Sequence, residues 1–261
     1  MLPGVFKATK KDGTVYYRSS FTYQNKHISL GSFPTEWTAH TAYAEASNIM
    51  TSSCSIQDYS DVFTISFEKY VILVNFRDNE MYFKTPIYLK QKYFYYYFSK
   101  KDYLIFDTDD LFYYSSHKIM RRQGHLFVAD YGMQVNILSR YGIKNYAVPG
   151  KDYIFINGNT SDYRYGNITI INKYHGVSME TKDGKEQFKT KIHIHGDFLV
   201  GIYPSETEAA IAYNKAIDVL KKKGFKKEFA NNYIEGLSPR KYAEIYSELK
   251  IAKKIREFEI Q

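Results

Sequence analysis

The chain is short of the residues that mark several protein classes. One cysteine, Cys54, among 261 residues excludes an internal disulfide and any cysteine-built zinc site. Long hydrophobic runs are missing: the longest uncharged apolar stretch is Tyr70 to Phe76, far short of the roughly 20 residues a membrane helix needs. The start runs into Lys7, Lys10 and Lys11 without an apolar leader core. These absences predict a protein without a membrane partner in a reduced, cytoplasmic compartment. There is no GxxxxGK[ST], GxGxxG or GxSxG motif, which leaves nucleotide hydrolysis and serine-hydrolase chemistry without support. Tryptophan is also scarce, at one residue against 27 Tyr and 18 Phe.

What is present is an apolar fraction of 44% with 25% charged residues, enough for a packed core, and a formal charge of +8. The positive balance suits a polyanionic partner. It is spread along the chain, +2 in each of residues 1–50 (5 basic, 3 acidic), 51–172 (14, 12), 173–236 (11, 9) and 237–261 (6, 4), so no segment is an electrostatic tail. That distribution favours several modest contacts over one strong one.

The most informative feature is an internal repeat. Gly4 to Ala46 and Gly176 to Ala216 align as two copies of one unit. Gly4-Val5 matches Gly176-Val177, Lys11-Asp12-Gly13 matches Lys182-Asp183-Gly184, and Leu30-Gly31 matches Val200-Gly201. Pro34 matches Pro204, and Ala39, Ala42, Tyr43 and Ala46 recur as Ala209, Ala212, Tyr213 and Ala216. Each copy reads as three short strands and a helix. In the second, Asp183-Gly184 and His195-Gly196-Asp197 are turn signals. Ser205 with Glu208 reads as a capping box, and Ala209, Ala212, Tyr213, Ala216, Ile217 and Leu220 form a helical stripe ended by Gly224.

One helix covers one face of a three-stranded sheet and leaves the other open to a ligand. Alternation along the middle strand places Lys189, Lys191 and His193 on the open side in the second copy, and Arg18, Ser20 and Thr22 in the first. Basic and hydroxyl side chains at period two suit groove reading by strands.

These residues carry a resemblance. Tyr17-Arg18-Ser19-Ser20-Phe21 and Phe188-Lys189-Thr190-Lys191-Ile192, each followed by Leu-Gly-x-Phe or Val-Gly-x-Tyr and an Ala-rich helix with Ala-Tyr-x-x-Ala, resemble the Apetala-two (ethylene-response-factor type) DNA-binding domain. It covers about 45 residues twice. It implies a sheet in the DNA major groove backed by the helix, and so Arg18, Ser20, Thr22, Lys189, Lys191 and His193 as contacts. Lys10 and Lys182 beside the turns join the candidate set. Where the family's first strand offers arginines, this chain has Phe6 and Ala8, or Ser178 and Glu180.

In phages and bacteria such domains commonly follow an HNH endonuclease module. Ile156 to Ile171 resembles that family's Ile-Asn-Gly-Asp-x-x-Asp-Asn-Arg-x-x-Asn-Leu stretch through Asn157-Gly158, Asp162, Arg164 and Asn167-Ile168; Phe106 to Tyr131 resembles its upstream part, an Asp-rich turn entering a short helix and a hairpin. Its chemistry needs a histidine base and a metal-binding carboxylate. The family's Asp-His pair falls here on Ile154-Phe155 or, with an insertion, on Asp152-Tyr153, and the earlier family histidine falls near Asn136. The module is therefore expected to be a nuclease scaffold without catalysis, cofactor or metal, with Arg164 or Lys151 still able to touch DNA.

Other constellations have plainer expectations. His193 and His195 lack a third metal ligand nearby, Asp107, Asp109 and Asp110 fit a helix start, and Lys221 to Lys227 fits a solvated helix end. From Ser238, with Pro239 in the first turn, the tail is expected as one helix whose stripe of Tyr242, Ile245, Leu249, Ala252 and Ile255 packs on the second repeat or forms a homodimer contact.

The expected architecture is α+β: Apetala-two-like domains at 1–50 and 173–236 flank a degenerate HNH (ββα) domain at 51–172, and a C-terminal helix occupies 237–261. The expected function is sequence-specific binding of double-stranded DNA by a nucleoid-associated transcriptional regulator, a repressor of phage or mobile-element origin derived from a homing endonuclease. Two rivals are a nicking endonuclease with a displaced base at His117, His125 or His175, and a phage protein that binds a host protein such as a defence component.

Overall fold

The computed structural model describes residues 1–259 and has an α+β architecture, with five small antiparallel sheets among them. The chain divides into two compact units. The first is Met1–Asn136 with Asn159–Asn167, and the second is Ile137–Gly158 with the chain from Ile168 onward. No helix of the described residues is long and apolar enough to cross a membrane.

The first unit opens with the expected meander and helix: β1 (Val5–Thr9), β2 (Val15–Tyr23), β3 (Lys26–Phe33) and α1 (Glu36–Thr51). Thr35 caps α1 by accepting from the Thr38 amide, and Ala39, Ala42 and Ala46 are fully buried, small enough to let the helix lie close on the sheet. The stretch Tyr70 to Phe76 lies in α2 (Phe67–Asn79) and is buried throughout. One core joins Ile28 and Leu30 of β3, Ala42, Ala46 and Ile49 of α1, and Val71, Leu73 and Val74 of α2. The first repeat thus shares its core with residues beyond position 50, because its single helix leaves apolar surface that α2 covers. A second meander, β4 (Ile87–Leu89), β5 (Tyr93–Tyr97) and β6 (Tyr103–Asp107), leads into α3 (Leu111–Ser116) and a third, β7 (Ile119–Arg122), β8 (His125–Asp130) and β9 (Met133–Asn136). The Asp-rich turn, short helix and hairpin expected over Phe106 to Tyr131 are present.

In the second unit β10 (Tyr153–Phe155) pairs with β11 (Ile168–Ile170). The expected ββα unit is not formed. After β11 the amides of Ile171 and Asn172 bond back to the Asp152 carbonyl at 2.8 and 3.0 Å, and the chain passes straight into β12 (Val177–Lys182) with no helix between. Asn159–Asn167, part of the segment that carries the HNH resemblance, packs with the first unit, where Ile105 and Asp162 form an isolated bridge.

The second repeat follows as β12, β13 (Lys185–His193), β14 (Asp197–Tyr203) and α4 (Glu206–Lys222). Ser205 caps α4 by accepting from the Glu208 amide at 3.2 Å; the reciprocal half of the box is absent, and Glu208 Oε2 is buried without a hydrogen bond. The stripe of Ala209, Ala212, Tyr213, Ala216, Ile217 and Leu220 is buried as expected.

The tail is two helices, α5 (Pro239–Glu248) and α6 (Lys253–Arg256), with Ser238 as the N-cap of α5. The break follows from Leu249, whose backbone is extended, and from the Ala252 amide, which donates to the Val200 carbonyl of β14 at 2.7 Å. Lys215 of α4 donates to the carbonyls of Tyr246 and Leu249 at 2.6 and 2.8 Å. Tyr242, Ile245, Leu249 and Ala252 pack on the core of the second repeat, and Ile255 is fully buried in it. Of the two expected destinations of the stripe, packing on the second repeat is the one formed. Ile260 and Gln261 of the expected tail lie outside the described residues.

Candidate nucleic-acid interface

The two meanders match residue by residue. Val5 pairs with Ser19 and Ser19 with Gly31; Val177 pairs with Thr190 and Thr190 with Gly201. The register slips after Ser19 in one and after Thr190 in the other, which makes Leu30 and Val200 equivalent bulge residues. Gly4 and Gly176 have φ of 74° and 70°, and a methyl on either would overlap the ring of Tyr43 or Tyr213. The glycine is needed twice for the same two reasons.

This register fixes the open faces. In the first copy the open face carries Phe6 and Ala8 from β1, Tyr16, Arg18, Ser20 and Thr22 from β2, and His27, Ser29 and Ser32 from β3. In the second copy it carries Ser178 and Glu180, then Gln187, Lys189, Lys191 and His193, then Asp197, Leu199 and Ile202. The alternation read from the sequence holds on both middle strands, with Ser19, Phe21, Thr190 and Ile192 buried on the helix side.

The electrostatics of the two faces differ. Arg18 is exposed and makes no ion pair among the described residues, and no carboxylate shares its face. Around it stand the hydroxyls of Ser20, Thr22, Ser29 and Ser32. On the second face Lys189 Nζ lies 3.0 Å from Glu180 Oε1, and His193 Nδ1 lies 2.9 Å from Asp197 Oδ1. The His193 hydrogen bond holds the Asp197 carboxyl below its ordinary value. Lys191 is exposed, while Leu199 and Ile202 leave 43% and 49% of their surface uncovered. Lys10 and Lys182 sit exposed at the ends of the first hairpin in each copy.

Arg164 belongs to neither meander. Its Nε and Nη2 grip the carboxylate of buried Asp162 at 2.9 and 2.6 Å, and its guanidinium lies over Tyr93. Bidentate pairing with a buried carboxylate fixes the guanidinium and spends two of its nitrogens, Nε and Nη2, on Asp162.

Ile154 and Phe155 occupy β10, and Asp152 beside them is buried, accepting from the Val148 amide at 2.8 Å and from Lys144 at 3.1 Å. Burial pushes its carboxyl up, but the Val148 amide and Lys144 together hold it below its ordinary value. Of the three histidines weighed as displaced bases, His117 follows α3 with Nε2 3.6 Å from Asp130, His125 opens β8, and His175 precedes β12. Burial, then nearby Lys144, lowers the His175 pKa. Asp107 accepts from the Tyr165 amide at 2.8 Å at the turn into α3. Lys227 donates to the His193 carbonyl at 2.9 Å, and the His195 ring meets Phe225 edge-on. Among the described residues no three His, Cys, Asp or Glu side chains converge as a metal site.

His27, Ser29 and Ser32 of the outer strand were not among the residues expected on the open face of β1–β3; period-two alternation over Lys26–Phe33 carries the signal for them. Comparison of the chain with protein-family models, with curated proteins and with solved structures finds no match.

Proposed function

We propose that the chain binds double-stranded DNA sequence-specifically without cleaving it, as a transcriptional regulator that acts by occupying its site, and that the open face of β1–β3 is the reading surface. The observation that carries this is Arg18: an exposed guanidinium at the middle of a three-stranded sheet, with no carboxylate partner among the described residues and with four serine and threonine hydroxyls on the same face. Such a sheet fits the major groove, where arginine takes guanine edges and hydroxyls take phosphates or bases. Phe6 beside Arg18 suits a thymine methyl. Descent from an HNH homing endonuclease of a phage or mobile element, with the catalytic pair replaced by Ile154-Phe155, is the origin we infer for the middle of the chain.

The test is selection of bound fragments from a random double-stranded DNA pool, followed by salt titration on the winner. Enrichment of one motif, with log affinity falling by about 0.9 per phosphate contacted for each decade of salt, supports the reading; no enrichment overturns it.

A specific observation favours a second role for the other copy. Its face is charge-compensated by Glu180 and Asp197 and exposes Leu199 and Ile202, a mix closer to a protein contact than to a phosphate one. A protein partner at that face is the reading we attach to it.

A further inference from the structure

The β4–β5–β6 sheet has one apolar face, with Ile87, Phe94, Tyr96, Leu104 and Phe106 all buried. Alternation sends Tyr88, Tyr93, Tyr95, Tyr97 and Tyr103 to the opposite face. Their rings form a cluster, with centroids 5.1 Å apart for Tyr95 and Tyr103, 5.4 Å for Tyr97 and Tyr103, and 5.7 Å for Tyr95 and Tyr97. Four of these tyrosines, α2 and the segment from Ser53 to Gln57 line an open cleft of about 560 Å³ within the first unit. Small-molecule sites fall in the range of about 300–1,000 Å³.

The polar groups of the cleft are unevenly satisfied. Arg77 is fully engaged, donating to the carbonyls of Ile49, Ser52 and Cys54 and to Asp78. Asp78 also accepts from the Tyr88 hydroxyl at 3.0 Å. Lys90 has no carboxylate partner among the described residues; its Nζ rests 4.7 Å from the centre of the Tyr88 ring. Tyr97 is mostly buried but lines the cleft, and no hydrogen bond from its hydroxyl to another described residue is formed. A hydroxyl that opens onto the cleft is a group a ligand can meet. Burial pushes the Tyr97 phenol up to about 12, so the hydroxyl remains a donor at neutral pH.

The chemistry of the walls selects the ligand. Tyrosine rings favour a flat aromatic group, by stacking or edge contact. A quaternary ammonium also suits an aromatic cage, but here Lys90 would repel it and the one carboxylate, Asp78, is already paired. A free cation asks for an anion on the same ligand. Gln57 adds a side-chain amide able to meet a base edge.

We propose that this cleft binds a nucleoside monophosphate, with the base among Tyr95, Tyr97 and Tyr103 and the phosphate at Lys90. The site is separate from the open face of β1–β3, so it stands or falls independently of DNA reading.

The test is calorimetric titration of the full chain with AMP, CMP, GMP and UMP, with the corresponding nucleosides and inorganic phosphate as controls. At least one monophosphate is expected to saturate with Kd below about 1 mM. Its nucleoside is expected to bind about tenfold more weakly, and Lys90→Ala to weaken the monophosphate by about the same factor, as for a charge-assisted hydrogen bond. Tyr97→Phe, which keeps the ring, should weaken it several-fold while leaving the melting temperature unchanged. Failure of all four monophosphates to bind below 1 mM overturns the proposal. So does a nucleoside that binds as tightly as its monophosphate, or an affinity unmoved by Lys90→Ala.

Discussion

The two repeats are the same backbone carrying opposite surfaces. They share the register, the bulge, the left-handed glycine against a helix tyrosine and the alanine-lined helix. Position for position the open faces diverge: Arg18 stands where Lys189 is, Ser20 where Lys191 is, Thr22 where His193 is, Ala8 where Glu180 is, and His27 where Asp197 is. Ser29 and Ser32 stand where Leu199 and Ile202 are. The features in common are those that a three-stranded sheet with one helix needs in order to close, and the features that differ contribute nothing to closure. A repeated scaffold therefore fixes where a face lies and leaves what it binds to the side chains.

The strongest way to break this comparison is through the shared glycines. Replacing Gly176 with Ala combines a left-handed conformation, costing about 1–2 kcal/mol, with overlap on the Tyr213 ring and on the Lys191 carbonyl oxygen, costing about 1–3 kcal/mol. Gly4→Ala meets the same two obstacles at Tyr43. Each variant is expected to lose about 2–5 kcal/mol in denaturant unfolding. A tolerated Gly4→Ala beside a destabilised Gly176→Ala would show that the scaffolds are not equivalent.

Next in size is the functional contrast. Under the proposed reading, Arg18→Ala should reduce specific DNA affinity about 10- to 100-fold at fixed salt, the worth of one bidentate base contact. Lys189→Ala should change it by less than about threefold, since that ammonium is held by Glu180 on a half-exposed face. Gel-shift titrations of the two variants decide it, and a larger loss in Lys189→Ala would transfer the reading surface to the second copy.

The sequence made the repeats legible because their signals are local: turn dipeptides, a period of two, an alanine stripe. Ser19 and Thr190 could be placed on the helix side from alternation alone. Regions whose structure depends on distant partners were opaque. Nothing in Ile168–Ile170 announces that a helix will fail to follow; that depends on the Asp152 carbonyl capturing the next two amides. The stripe in α5 was visible, with packing on the second repeat as one of its two expected destinations, but the break after α5 was not, since it depends on Lys215 holding the last α5 carbonyls and on Ala252 reaching Val200. The pairing of Arg164 with Asp162, two residues away, was not legible because both residues fit the HNH pattern. The tyrosine face of β4–β6 was written at period two in Tyr93, Tyr95 and Tyr97, but a cleft requires α2 opposite it.

A smaller contrast lies under the sheets. Thr190 donates its hydroxyl to the Ala209 carbonyl of α4 at 3.0 Å, whereas the equivalent Ser19 hydroxyl is buried without a hydrogen bond. Thr190→Val should cost about 1 kcal/mol or somewhat more, because a buried carbonyl loses its donor. Ser19→Ala should be neutral or slightly stabilising, since it removes a polar group that was desolvated for nothing. Equal losses in thermal unfolding would mean that Ser19 has a bound water in place of a protein partner.

The finest test concerns the carboxylates that distinguish the second face. Glu180→Gln with Asp197→Asn removes two exposed ion pairs and should shift stability by less than about 1 kcal/mol. The small contribution of Asp197 has a definite pH sense. Its carboxyl is held low in the folded state, so the stabilisation is present above the ordinary carboxylate pKa and disappears as pH falls through the lowered one. At neutral pH the double variant frees Lys189 and uncovers His193 beside Lys191. If that face lies on DNA, the salt dependence of binding steepens by about 0.9 for each phosphate newly contacted. If it serves a protein partner, the slope stays where Arg18 and the first face set it. The same two substitutions then weaken the protein contact instead, because the charges that Leu199 and Ile202 are framed by no longer cancel.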